Sequence, residues 1–159
     1  VDADRSLRIR PDGEITYRGG PESPLEITAE NEVPAEPEAV LGVSLLLQEL
    51  TRDRTGEAEL YLTGFRQSGA AVELTYGYHI NGVPIRFADG GDAARAVLSG
   101  TVLTDLTLRL RQYTSSGDAS PLLPLRQTLA IAAQHSGAEL TLGYADRGDG
   151  TAAACWLAD

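Results

Sequence analysis

The sequence predicts an α+β fold, an antiparallel sheet covered by two helices, on three observations. Residues 72–80 place Val72, Leu74, Tyr76, Tyr78 and Ile80 at alternate positions, the two-residue period of a strand with one buried face. Leu106, Leu108 and Leu110 repeat that period against Thr107, Arg109 and Arg111. Two other stretches, 38–53 and 121–135, space their apolar residues three and four apart, as a helix lying on a sheet does.

At 159 residues the chain can bury one sizeable core, or two small ones sharing a sheet. Apolar residues make up 42%, which suits a folded body and not a disordered segment. Thirteen basic against twenty-three acidic side chains leave a formal charge of −10. That field repels phosphate backbones and anionic headgroups, so nucleic acid is not an expected partner. A single cysteine, Cys155, excludes an internal disulfide framework and a cysteine-based zinc cluster. Methionine is missing even at position 1, consistent with a processed or trimmed product. No run of apolar residues is long enough to span a bilayer.

In chain order, residues 5–18 form a hairpin candidate, with Leu7, Ile9, Ile15 and Tyr17 alternating on either side of Pro11-Asp12-Gly13. From Gly19 to Pro37 four prolines and five glutamates make an extended acidic connector ended by Pro34 and Pro37. A helix over 38–53 follows, its stripe made by Val40, Val43, Leu46, Leu47 and Leu50. Strands are expected over 58–67 and 71–80, with 84–87 returning after the Asn81-Gly82 turn. Pro84 lacks a ladder donor and belongs at a strand start, edge or bulge. Residues 93–98 fit either one helical turn or a strand, and the strand is preferred because the alternating run over 102–113 needs a partner. After a polar break at 114–120, a second helix over 121–135 uses Leu122, Leu125, Leu129 and Ala133, with Gly137 as its stop. Strands over 139–145 and 151–157 close the chain around Asp146-Arg147-Gly148-Asp149-Gly150.

Three units result: residues 1–35 as hairpin and connector, 36–120 as helix plus meander, and 121–159 as helix plus terminal hairpin packed on the preceding unit. Helix-then-strands occurs twice, which reads as an α+β repeat with a shorter second copy. Gly56-Glu57-Ala58-Glu59-Leu60 and Gly137-Ala138-Glu139-Leu140 support the repeat, although a match this short arises by chance about as readily.

Catalytic chemistry finds little footing. Asp105, Asp146 and Asp149 supply oxygens, but the loop lacks the spacing and terminal glutamate that make calcium ligation specific, and its glycines already explain a turn. His79 and His135 sit on separate elements with no third zinc ligand placed beside them. Cys155 lies in an apolar run, where a thiol fills space more often than it attacks. No nucleophile elbow, dinucleotide fingerprint or phosphate loop occurs. No catalytic, metal or cofactor residue is therefore assigned. Tyr76, Tyr78, Arg109, Arg111 and Tyr113 are the candidates for recognition, because aromatics and guanidiniums on strand faces form binding surfaces. Alternatively the tyrosines pack under the helices while the arginines pair with acidic groups. Tyr78, Arg109, Arg111 and Tyr113 are carried forward as a protein-binding set.

The run Tyr76-Gly77-Tyr78-His79-Ile80-Asn81-Gly82-Val83-Pro84-Ile85 is similar to the aromatic-strand, Asn-Gly, Val-Pro hairpin in extracellular domains of the YycH/YycI regulators and their PepSY-like relatives. Those domains continue with a segment like Arg109-Leu110-Arg111-Gln112-Tyr113, a Leu-Pro helix start such as Leu123-Pro124-Leu125, and a terminal strand pair. The resemblance spans about residues 36–159. Trp156 matches the family's terminal tryptophan, whereas Ala153-Ala154-Cys155 departs from its proline-bearing approach. It implies one full and one partial cystatin/PepSY-like α-β repeat. It also implies a non-enzymatic extracytoplasmic module of a Gram-positive bacterium, tethered by a membrane helix outside these residues, with no cofactor. Its partner would be another extracellular domain, that of a sensor histidine kinase controlling the cell wall or of a paralogous regulator. The alternative is a cystatin-like or PepSY-like protease inhibitor or protease-associated domain, since a helix laid across an antiparallel meander also suits that task, with a protruding hairpin such as Asn81-Gly82 as its wedge. A small hydrolase is disfavoured, since no base and nucleophile are paired.

Overall fold

The computed structural model describes residues 5–20, 25–27, 36–118, 121–134 and 139–158. The hairpin of β1 (Ser6–Ile9) and β2 (Glu14–Arg18) comes first, turned by Pro11-Asp12-Gly13 with Gly13 N–H donating to Arg10 O at 3.0 Å. A two-residue strand β3 (Leu25–Glu26) lies inside the stretch expected to be connector, and pairs with Leu103 and Val102. Helix α1 (Glu36–Thr51) starts two residues earlier than expected. Pro37 sits in its first turn, where the missing N–H is not required. Then come β4 (Glu59–Ser68), β5 (Ala71–Ile80), β6 (Val83–Phe87), β7 (Ala94–Ser99), β8 (Val102–Arg109), α2 (Leu125–Ala132), β9 (Leu140–Asp146) and β10 (Ala152–Ala158).

The strands form one branched sheet, and the branch point is β5. One edge of β5 pairs with β4 from Glu59↔His79 to Ser68↔Ala71. The other edge is shared: residues 71–76 pair with β7 and 78–80 with β6. Beyond β7 the sheet runs to β8, then to β2 and β1, with β3 beside β2 on the same edge of β8. Beyond β6 it runs to β9 through a short parallel pairing, Ile85↔Tyr144 to Phe87↔Asp146, and ends at β10. The Asn81-Gly82 turn that starts this second arm has φ of 51° and 79°. Two consecutive left-handed residues are what a tight hairpin turn of this hand demands.

This architecture corrects the expectation of an antiparallel sheet covered by two helices in a cystatin-like repeat: among the described residues the sheet has ten strands and is mixed. One helix accounts for most of the coverage. Ala39, Val43 and Leu47 of α1, four residues apart, are fully buried against Val72, Leu74, Tyr76, Ala96, Leu98 and Leu108 of β5, β7 and β8. Each large apolar side chain buried in this way contributes about 1.5–3 kcal/mol. Val40, Leu46 and Leu50, expected in the stripe, pack along its margins. Helix α2 has only eight residues and buries only Thr128, while Leu125 and Leu129 of its expected sheet-facing stripe are each about half exposed (53% and 52%). Thr128 Oγ1 donates back to Pro124 O at 3.3 Å, which satisfies this buried hydroxyl within its own helix.

Strand β8 also stops earlier than its alternation suggests, because Leu110 N–H leaves the ladder and donates to Gly13 O at 2.8 Å. Tyr113 then bridges Gly56: its N–H donates to Thr55 O at 3.0 Å, and its carbonyl accepts from Glu57 N–H at 2.8 Å. Gly56, at φ 66°, has no room for a Cβ against that carbonyl. The stretch expected over 93–98 is strand and not helix, as β7 over Ala94–Ser99. A second, smaller core of Ala58, Tyr78, Ile85 and Ala93 sits at the branch, with Phe87, Tyr113 and Tyr144 packed on it.

Candidate functional site

Tyr78, Arg109, Arg111 and Tyr113 do meet, but around the branch of the sheet. Tyr78 is fully buried; its hydroxyl donates to Arg109 O at 2.9 Å, and its ring lies edge-on to Tyr113 at 5.8 Å and to Phe87 at 6.4 Å. The Arg109 guanidinium sits over the Phe87 ring at 5.2 Å and holds both oxygens of Asp89 at 2.8 and 2.9 Å. Arg111 Nη1 donates to Asp12 O, closing the β1–β2 turn onto the body. Tyr113 Oη donates to Asp146 Oδ2 at 2.7 Å, and Gly148 N–H donates to Asp146 Oδ1 at 2.8 Å, so this buried carboxylate is held from both sides. Burial pushes the Tyr78 phenol up to about 12. It raises Tyr113 further still, with the carboxylate of Asp146 adding to the effect. Tyr76 is raised by burial as well, and shares a 3.1 Å hydrogen bond with Ser44. Tyr78 therefore offers no surface to a partner, and the set ties β5, β8 and β9 together.

The remaining chemical candidates are also held by structural contacts. His79 accepts from Gly82 N–H at 3.2 Å and lies 5.4 Å from the Tyr61 ring. Asp149 caps the last turn through Thr151 Oγ1 at 2.6 Å, and Asp105 faces Arg18 at 3.8 Å. No cluster of three or more metal-ligating side chains occurs among the described residues. Cys155 is half-buried in β10, and His135 lies outside the described residues.

A different surface stands out, made by α2 and the last strand. Trp156 Nε1 donates to Leu123 O at 3.0 Å, fixing the approach to α2 against β10. Between them opens a cavity of about 370 Å³ lined by Leu123, Thr128, Ile131, Leu140, Ala154 and Trp156. Leu122, Leu123 and Ile131 at its rim and Leu125 and Leu129 beside it remain exposed, four of the five by about half. Clustered apolar side chains in water mark interaction sites, whereas single ones do not. The outer edge of β10 pairs with no other strand among the described residues. Residues 152–158 contain no charge and no proline, the usual protections of an exposed edge. Neither 121–134 nor 152–158 holds an acidic residue, in a chain whose net charge is −10.

Sequence reading missed this surface because an outward apolar stripe has the same spacing as an inward one. The usable signal was excess: Leu122 and Leu123 on the approach and Leu125, Leu129 and Ile131 on the helix exceed what one narrow stripe on so short an element can bury. No family model, curated protein or solved structure matches the chain.

Proposed function

We propose that this chain is a non-enzymatic binding module on the outer face of a Gram-positive bacterial membrane, one that regulates a sensor histidine kinase by docking to its extracellular domain. The observation that carries the reading is the apolar surface of α2 beside the uncharged open edge of β10. An extended segment of the partner adds to β10 by main-chain hydrogen bonds and sets an apolar side chain into the cavity against Trp156. The surface suits an acidic partner too, because no carboxylate lies on α2 or β10 and Arg126 is the one charge on the helix. The resemblance of residues 76–85 to the regulator hairpin supplies the class of partner, and those residues form the β5–β6 hairpin at the branch.

The test is calorimetric titration of the chain with the purified extracellular domain of the sensor kinase from the same bacterium. Binding should weaken by about thirtyfold or more in Leu125→Glu/Leu129→Glu, as central apolar anchors do, with unchanged thermal unfolding. No binding by the unsubstituted chain, or equal binding by the variant, would overturn the reading.

A further inference from the structure

The face of the sheet turned away from α1 is polar, and its register arranges that polarity in rows. Arg8 of β1 stands opposite Thr16 of β2, Thr16 opposite Thr107 of β8, and Thr107 opposite Arg95 of β7. Two guanidiniums thus flank two hydroxyls, and the row continues past Arg95 to Thr75 of β5. Three strand spacings separate Arg8 from Arg95, about 14 Å. The neighbouring row runs Ser6, Arg18, Asp105, Val97 by the same register. Together these side chains line a groove of about 580 Å³.

The charge of this groove runs against that of the chain. Four arginines (Arg8, Arg10, Arg18 and Arg95) line it against two carboxylates, Glu14 and Asp105, in a protein that carries ten more acidic than basic side chains. Both carboxylates are already engaged, Glu14 by Arg10 at 3.0 Å and Asp105 by Arg18 at 3.8 Å. Arg95 is oriented by Glu73 at 2.6 Å, from β5 outside the groove lining. Arg8 has no ion-pair or hydrogen-bond partner among the described residues. Exposed, its guanidinium can fork onto a carboxylate or sulfate.

We propose that this groove binds an acidic polysaccharide, with Arg8 and Arg95 taking its spaced anionic groups and the hydroxyls of Thr16 and Thr107 taking sugar hydroxyls between them. Hydroxyls both donate and accept, which matches a sugar ring. An acidic peptide fits less well, because the lining offers no apolar hollow for side chains; Val97 and Tyr17 are its apolar members. The site lies on β1, β2, β7 and β8 and does not depend on the docking surface of α2 and β10.

The test is binding of oligogalacturonate to the whole chain, followed by calorimetry and by amide shifts, with an uncharged maltooligosaccharide and oligoglutamate of equal length as comparisons. Oligogalacturonate should bind at low salt, weaken as salt rises, and shift amides of β2 and β8. The maltooligosaccharide should not bind, and oligoglutamate should bind more weakly. Arg8→Ala/Arg95→Ala should lose about tenfold in affinity, while Arg126→Ala on α2 should bind as the unsubstituted chain does. Unchanged affinity in the double variant overturns the proposal, as does oligoglutamate binding equally tightly, or no oligogalacturonate binding at low salt. All these substitutions are at exposed positions, and thermal unfolding confirms that each variant is folded.

Discussion

Strand β5 and hairpin β9–β10 belong to one sheet, yet they bury their side chains to different depths. In β5 every even residue from Val72 to Tyr78 is buried, because α1 lies over one stretch and the branch core over the next. In β9–β10, Tyr144 and Trp156 stay half-buried, and the helix beside them buries only Thr128. Alternation decides which face a side chain takes. What covers that face decides how far it is buried. A well-covered body and a thinly covered flank therefore coexist, joined by the three parallel pairs of β6 with β9.

Core truncation should separate the two regions most strongly. Leu108→Ala, at a fully buried site in the body, should cost about 2–5 kcal/mol in urea denaturation. Trp156→Ala on the flank should cost clearly less. An equal cost would mean that the flank is as tightly packed as the body.

The alkaline limb of stability sharpens the same contrast at the branch. The fold holds the neutral phenol of Tyr78, whose pKa is pushed up to about 12 by burial. That contribution is intact below the ordinary tyrosine value of about 10 and disappears as pH rises through about 12, a loss on the order of 2–3 kcal/mol. Tyr78→Phe should flatten part of the decline between those limits. An unchanged profile would remove Tyr78 as its source.

Removing one hydroxyl should have a slightly smaller effect. Tyr113→Phe deprives the buried Asp146 carboxylate of its 2.7 Å donor and should cost about 1–3 kcal/mol. In a double-mutant cycle with Asp146→Asn the two substitutions should be non-additive; additivity would show that the contact between body and flank carries little energy. The smallest effect is expected on the flank surface. Leu129→Glu should change stability by no more than about 0.5 kcal/mol, because its side chain already meets water.

Much of the body was legible in the sequence because its signals are local. The alternation over 71–80, the Asn81-Gly82 turn, the β1–β2 hairpin and α1 all emerged within two residues of their expected bounds. What escaped depends on distant partners. β3 has two residues and no period of its own; it is a strand because Leu103 and Val102 offer it an edge. The parallel pairing of Ile85 with Tyr144 joins segments far apart in the chain, and no local pattern announces it. The recognition set was read from side-chain type, and burial then separated Tyr78 from anything a partner could touch. The face presented by α2 was illegible for the same reason: spacing identifies a stripe without saying what it faces.

Hydrogen exchange tests the proposed docking flank most directly, read on the chain alone and then with the sensor-kinase extracellular domain proposed as its partner. The account predicts slow exchange in β5, β7 and β8 in both states, and new protection over residues 125–132 and 152–158 only when the partner is present. Protection appearing instead along β4, or α2 and β10 remaining unchanged in a formed complex, would contradict it.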